Sequence, residues 1–180
     1  ITTYDFHKLQ AECWLKFYTR QNWVKGVSLR LTNVYGPGPK SSSADRGILN
    51  LMIQRALKGD ELTIYGTGEY LRDYIYIYDV VLAFLSVPIK INKTANKHFL
   101  LGSGAGTTLH DAIKIVGEIV NKHTGKKITI KSIEPPYDLL PIEYRNFVAD
   151  INSLTRLTGN SIPLSLEKGI LKTVKFYLNL

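Results

Sequence analysis

Leu9, Cys13 and Phe17 recur at four-residue spacing in the opening stretch "ITTYDFHKLQAECWLKFYTRQNW", so the pattern predicts a long helix starting near residue 3, with Thr3 as its cap and Cys13 buried and inert. "VSLRLTNVY" then reads as a buried strand, and "GPGP" with "KSSSADRG" as a polar loop. "GILNLMIQRALKG" has helical amphipathicity ended by Gly59, and two short strands follow, "LTIY" and "LRDYIYI", joined by the turn "GTGEY". "YDVVLAFLSVP" predicts a helix stopped at Pro88, and "KINKTANK" a polar linker. Beyond it the pattern gives a strand over 98–101, a helix over 108–123, a strand over 128–133, an irregular stretch to about Asp150, and short helices near 152–158 and 165–178. Helices alternating with apolar strands make this an α/β chain.

Composition adds little to that picture. The chain has 180 residues, 44% of them hydrophobic, which suits a sizeable core. No run of apolar residues is long enough to span a membrane and none reads as a signal peptide, so the expected location is cytoplasmic, with no membrane partner. A lone Cys13 has no partner within the chain for a disulfide, and His7, His98, His110 and His123 lack metal-ligand spacing, so no metal site is expected. The net charge of +8 favours an anionic partner. Its lysines are scattered, without the basic and aromatic interleaving of a nucleic-acid surface, so no nucleic acid is expected either.

Three stretches carry candidate chemistry. In "HFLLGSGAGTTLHDAIKIVGEIV" an apolar run, three glycines and a helical pattern imitate a dinucleotide-binding turn, with Glu134 ending the next strand. Gly102, Gly104 and Gly106 miss that pattern by one residue, because Thr107 stands where the third glycine belongs. A plain structural turn is therefore the expectation. Tyr4 and Lys8, four apart, share one helix face, where an ammonium beside a phenol favours the phenolate and makes a general base. With eleven tyrosines in the chain, about one such pair arises by chance. In "DYIYIYD" tyrosine alternates with isoleucine, so the rings share one face, either to stack a base or as a half-buried strand.

The Tyr4–Lys8 pair gains weight from the stretches downstream of it. "SLRLTNVYGPG" at 28–38, "GDELTIYGTGEYLRDYIYIYDVV" at 59–81, "FLLGSGAGTTLHDAI" and "FVADINSLTRLTGNSIPLSLEKGILKTVKFY" stand in an order that resembles the extended short-chain dehydrogenase/reductase superfamily, in its nucleotide-sugar epimerase/dehydratase branch. The resemblance covers essentially the whole chain but only the C-terminal half of that family's length. Its Gly-x-x-Gly-x-x-Gly turn for the NAD pyrophosphate, and the Ser/Thr that partners the tyrosine, do not occur here. The chain, which starts at Ile1 rather than Met, is accordingly expected to be a fragment.

The resemblance implies the C-terminal part of an NAD-binding Rossmann-like doubly wound sheet plus a smaller α/β substrate-binding domain. Residues 1–46 would supply the last helix and strand of the NAD-binding domain with the following loop. Residues 47–180 would form mainly the substrate domain, with 72–101 partly returning to the NAD-binding sheet. It assigns Tyr4 and Lys8 as catalytic and NAD-contacting, Leu31 and Thr32 to the nicotinamide, and Asn33, Thr63, Tyr65, Arg72 and Arg145 to a nucleoside-diphosphate sugar. The glycine unit belongs in that family to the substrate side of the cleft. Arg30 is open between this site and a structural ion pair. The implied activity is 4-epimerisation through transient hydride transfer to NAD, in a homodimer built through the Tyr4 helix. A 4,6-dehydratase or decarboxylase of the same family is the alternative, and so is a non-catalytic remnant with a binding or structural role.

Overall fold

A computed structural model describes residues 2–38, 47–135, 141–159 and 163–179, so most of the "KSSSADRG" loop and part of the irregular stretch before Asp150 lie outside the described residues. The first helix, α1 (Thr3–Arg20), is capped by Thr2 rather than Thr3. The Asp5 amide donates to Thr2 Oγ1 at 3.2 Å and the Thr2 amide donates to the Asp5 carboxylate at 3.0 Å, a reciprocal capping box. Those bonds with Thr2 hold the Asp5 carboxyl below its usual range, the backbone bond contributing most. The expected apolar stripe does not meet the sheet: Leu9 and Phe17 are exposed, and so is Cys13, against the expectation of burial. The face turned inward carries Glu12, Leu15, Lys16 and Thr19.

The strand expected over "VSLRLTNVY" is two, β1 (Ser28–Leu31) and β2 (Asn33–Tyr35), broken at Thr32, where the chain changes partner. β1 runs parallel to β5 (His98–Leu101), with Ser28 opposite His98. β2 runs parallel to β4 (Leu71–Tyr76), with Asn33 opposite Tyr74, and β4 is flanked on its other edge by antiparallel β6 (Gly106–Thr108). β3 (Leu62–Tyr65) pairs in parallel with β7 (Ile130–Ile133), so the two strands around "GTGEY" enter different sheets.

The helices are α2 (Ile48–Lys58), α3 (Ile77–Ile89), α4 (Ile91–Thr94), α5 (Leu109–Thr124), α6 (Asn152–Thr158) and α7 (Leu166–Tyr177). Gly59 takes the left-handed conformation that ends α2, at φ 90°. Pro88 sits inside the last turn of α3, which runs one residue past it, and the "KINKTANK" linker holds the single turn α4.

β4 divides two cores, because successive strand residues face opposite ways. Tyr74 and Tyr76 join Tyr35 and the inner faces of α2, α5 and α7, while Ile75 packs with Val80 and Val87 of α3 and Phe99 and Leu101 of β5. The tyrosine ladder is thus two rings deep and buried. Tyr78 belongs to α3 and is exposed.

Candidate functional site

The first two turns of α1 present the Tyr4–Lys8 pair. Tyr4 is 69% exposed, and Lys8 Nζ lies 5.3 Å from the centre of its ring, the one-turn stacking that four-residue spacing dictates. Arg30, left open by the sequence, is committed to Glu12: its Nε donates to Oε2 at 3.0 Å and its Nη2 to Oε1 at 3.1 Å. That fork is what holds the Glu12 carboxyl below the usual carboxylate range, with Lys16 at 2.9 Å adding to it. Leu31, at the carboxyl end of β1, is exposed.

Around the start of β4 three of the expected substrate residues come together. Arg72 Nη1 donates to the Arg145 carbonyl at 2.5 Å, and Nη2 to the Glu143 carbonyl at 2.7 Å. Glu143 also lies 3.7 Å away as an ion-pair partner. The guanidinium therefore ties the stretch over 143–145 to the strand. Arg145 itself stacks over Phe147 at 5.3 Å. Asn33 Nδ2 donates to the Asp73 carbonyl at 3.1 Å, leaving the exposed remainder of the amide at the end of the parallel pair. Asn33 opens β2 two residues after Leu31 ends β1, and open α/β sheets gather ligands at carboxyl ends such as that of β1.

Thr63 and Tyr65 stand apart from this cluster, on the other sheet. They point away from the core that holds Leu62 and Ile64; Tyr65 is exposed, and Thr63 Oγ1 accepts from Arg55 Nη1 at 3.4 Å.

Asp73, on the face of β4 opposite Arg72, is completely buried. Its Oδ1 accepts from the Ser103 amide and the Ser103 hydroxyl, both at 2.7 Å, and from the Thr32 hydroxyl at 3.4 Å. Its Oδ2 accepts from the amides of Gly104 and Ala149, both at 3.1 Å. The amides of the glycine turn thus already hold an anion, and it is the chain's own carboxylate. Gly102 is glycine for steric reasons, since a Cβ there would stand 2.5 Å from Asp73 Oδ2 and 2.7 Å from Thr32 Cγ2. Furthermore β6 intervenes between the turn and α5, whose N-terminus is capped by Thr108 Oγ1 accepting from the Asp111 amide at 3.0 Å. These are properties of a structural turn.

Two residues here were not singled out from the sequence for what they do, Glu12 and Asp73. An aspartate inside an apolar strand, and a glutamate one turn beyond Lys8, are the signals that mark them. Next to Asp73, Tyr74 is 4% exposed and its hydroxyl has no hydrogen-bond partner among the described residues; burial pushes its phenol up to about 12. Tyr35, whose hydroxyl donates to the Leu166 carbonyl at 3.2 Å, is also raised by burial.

Known proteins share the sequence and fold of this chain. The family model of the NAD dependent epimerase/dehydratase family matches residues 1–102. UDP-glucose 4-epimerase of Thermotoga maritima, solved with UDP-glucose, is 32% identical, with a TM-score of 0.85 over 99% of this chain and 54% of that one. UDP-glucose 4-epimerase of Thermus thermophilus, solved with NAD, is 28% identical, with a TM-score of 0.74 over 93% of this chain and 51% of that one. Among curated proteins, dTDP-4-dehydro-6-deoxyglucose reductase of Escherichia coli is 27% identical over 96% of this chain and 51% of its own length. The chain thus spans about half the length of these relatives. Over that span it has their α/β architecture, and it belongs to the NAD dependent epimerase/dehydratase family.

Proposed function

We propose that the protein carrying this chain is an NAD-dependent 4-epimerase of nucleoside-diphosphate sugars. The observation that carries the reading is the Tyr4–Lys8 pair, displayed on the exposed face of α1. The 32% identity to a 4-epimerase solved with UDP-glucose favours this activity within the family.

The residues present suit one end of NAD, the nicotinamide riboside: Tyr4 and Lys8 offer an exposed hydroxyl and ammonium, and Leu31 offers an exposed apolar edge. Thr32, next along the chain, turns its hydroxyl toward Asp73 and its methyl toward Gly102. The glycine turn does not suit the pyrophosphate, its amides being spent on Asp73. When bound, NAD accepts hydride from the sugar carbon and returns it.

Tyr4 Oη takes the proton from the sugar hydroxyl on that carbon and later gives it back. Lys8 keeps a positive charge beside the phenol and holds the ribose hydroxyls. Arg72, Arg145 and Asn33 hold the diphosphate and ribose, so the oxidised sugar turns over while its nucleotide stays fixed. Arg72 would exchange its carbonyl partners for phosphate oxygens, which accept more strongly from a guanidinium. Thr63 and Tyr65 flank the base from the neighbouring sheet.

The two cores on either side of β4 support the domain assignment, the Phe99–Leu101 core belonging to the NAD-binding sheet and the larger one to the substrate domain, with residues 72–101 crossing between them. Trp14, Phe17, Tyr18 and Trp23, an exposed cluster with ring centres 5.5–6.2 Å apart, support a homodimer through α1; Trp14→Glu should yield a monomer by sedimentation. No helix among the described residues is long and apolar enough to cross a membrane, which suits the cytoplasmic location we assign.

Incubating the intact protein with NAD and UDP-glucose or dTDP-glucose tests the activity by NMR of the products. Inversion at the sugar C4 supports the epimerase. A keto-deoxy sugar would identify the 4,6-dehydratase reading, which curated dTDP-glucose 4,6-dehydratases 25–27% identical keep in play, and no turnover of any sugar nucleotide would leave a binding protein.

A further inference from the structure

We propose that Glu12 is the positioning residue of the Tyr4–Lys8 pair, fixing the reactive end of α1 against β1 through its fork to Arg30; the role rests on the acid–base reading above. Two contact points set the course of α1 over the sheet. Leu15 and Thr19 close over Gly26, ahead of β1, while Glu12 grips Arg30 further along that strand. α1 therefore runs antiparallel to β1, and its first turns project past the strand's carboxyl end, where Leu31 and Thr32 lie.

Among the described residues Glu12 is the first side chain of α1 to meet the β1–β5 pair, the residues from Thr3 to Ala11 making no such contact within this chain. Its carboxylate is 9% exposed and meets three cationic or ionisable groups: Arg30, Lys16, and His98 Nδ1 at 3.9 Å on β5. A carboxylate this shielded persists because its partners offset desolvation. The depressed Glu12 carboxyl agrees with that.

The consequence for catalysis is leverage. At 1.5 Å per residue, Tyr4 stands about 12 Å along the axis from Glu12 and about 16 Å from Leu15. A tilt of about 4° about the lower contacts moves Tyr4 by about 1 Å, a displacement that costs on the order of 100-fold in rate. The fork of Arg30 resists that tilt better than a single charge, because two parallel bonds fix orientation as well as distance.

The test uses the intact protein and whichever of UDP-glucose or dTDP-glucose the wild type turns over faster. Arg30→Met and Glu12→Gln should each lower kcat per folded molecule by about 10-fold to 100-fold, Arg30→Lys less, with affinity for UDP unchanged. Without nucleotide added, amide exchange in α1 should accelerate by at least about tenfold in Arg30→Met, while α5 exchanges as in the wild type. Exchange that quickens equally in α5 would show a general loss of stability and overturn the proposal, as would kcat within twofold of wild type in both variants. Tyr4→Phe separates the two readings. Slow Tyr4→Phe beside fast Arg30→Met removes only the positioning role; fast Tyr4→Phe removes the acid–base reading and the positioning role with it.

Discussion

Replacing Asp73 by Asn keeps the shape of the side chain and removes its charge, and the structure says what that change costs. One carboxylate oxygen serves Ser103 and Thr32, the other the amides of Gly104 and Ala149. The carboxamide can serve only one side as acceptor. Its better orientation turns Oδ1 to Gly104 and Ala149 and Nδ2 to the Ser103 hydroxyl, which rotates to accept, as does that of Thr32. The Ser103 amide is then stranded against a donor. Leaving that half-buried N–H unpaired costs toward the lower end of about 1–3 kcal/mol, and the bonds that survive fall from charge-assisted to ordinary strength. The sum is about 2–4 kcal/mol, a large share of the roughly 5–15 kcal/mol that folds a domain. Asp73→Ala takes the acceptor from all three amides, of which Ala149's is buried, Ser103's half-buried and Gly104's on an exposed residue, and should cost about 3–6 kcal/mol. Urea unfolding of the intact protein, compared at unchanged m-value, reads the difference directly. An Asp73→Asn variant within about 0.5 kcal/mol of wild type would refute the claim that this carboxylate is what the glycine turn is built around.

Arg72→Ala should weaken a nucleoside diphosphate by about 10-fold to 150-fold in calorimetric titration while affecting NAD far less, and Arg145→Ala should show a smaller loss; equal affinity in wild type and Arg72→Ala would take the diphosphate away from Arg72. Tyr74→Phe removes a buried hydroxyl with no described partner, so it should leave stability unchanged or raise it by about 1 kcal/mol in the same urea assay, whereas a loss above that would reveal a partner for the hydroxyl. The raised Tyr74 phenol has a sign to check as well. A phenol that ionises near 12 when folded and near 10 when unfolded stabilises the fold fully below pH 10 and loses that contribution as the pH rises toward 12, so wild type should weaken across that window more than Tyr74→Phe.

Periodicity was a good guide wherever burial followed it. α5, α6 and α7 begin and end within about a residue of their expected bounds, because caps and glycines mark their ends: Thr108 and Gly125 for α5, Gly159 for α6. On α1 the stripe of Leu9, Cys13 and Phe17 is exposed in this chain, which spans about half the length of its relatives, and the ion pair of Glu12 with Arg30 that joins the helix to β1 has no signal in a hydrophobic pattern. The break at Thr32 was equally invisible, since a strand that changes partner keeps its period. The glycine turn was read correctly as structural from one misplaced residue, but its reason lies about thirty residues upstream in Asp73, a long-range pairing that local spacing does not encode. Tyr4 and Lys8 stand one turn apart as their spacing dictates, whereas the bond from Arg72 to the Arg145 carbonyl joins residues seventy-three apart and needed the fold.

The proposed chemistry turns on Tyr4, and the most direct measurement is the turnover of Tyr4→Phe in the intact protein, with NAD and a sugar nucleotide that the wild type converts, beside the affinity of the same variant for that sugar nucleotide. The Tyr4 hydroxyl makes no hydrogen bond among the described residues that Tyr4→Phe would break, and circular dichroism of the variant checks that it folds. Turnover should fall by about 100-fold to 10,000-fold with affinity nearly unchanged, because proton transfer alone is lost. Wild-type turnover, or a loss confined to affinity, would contradict the assignment of Tyr4 as the acid–base group.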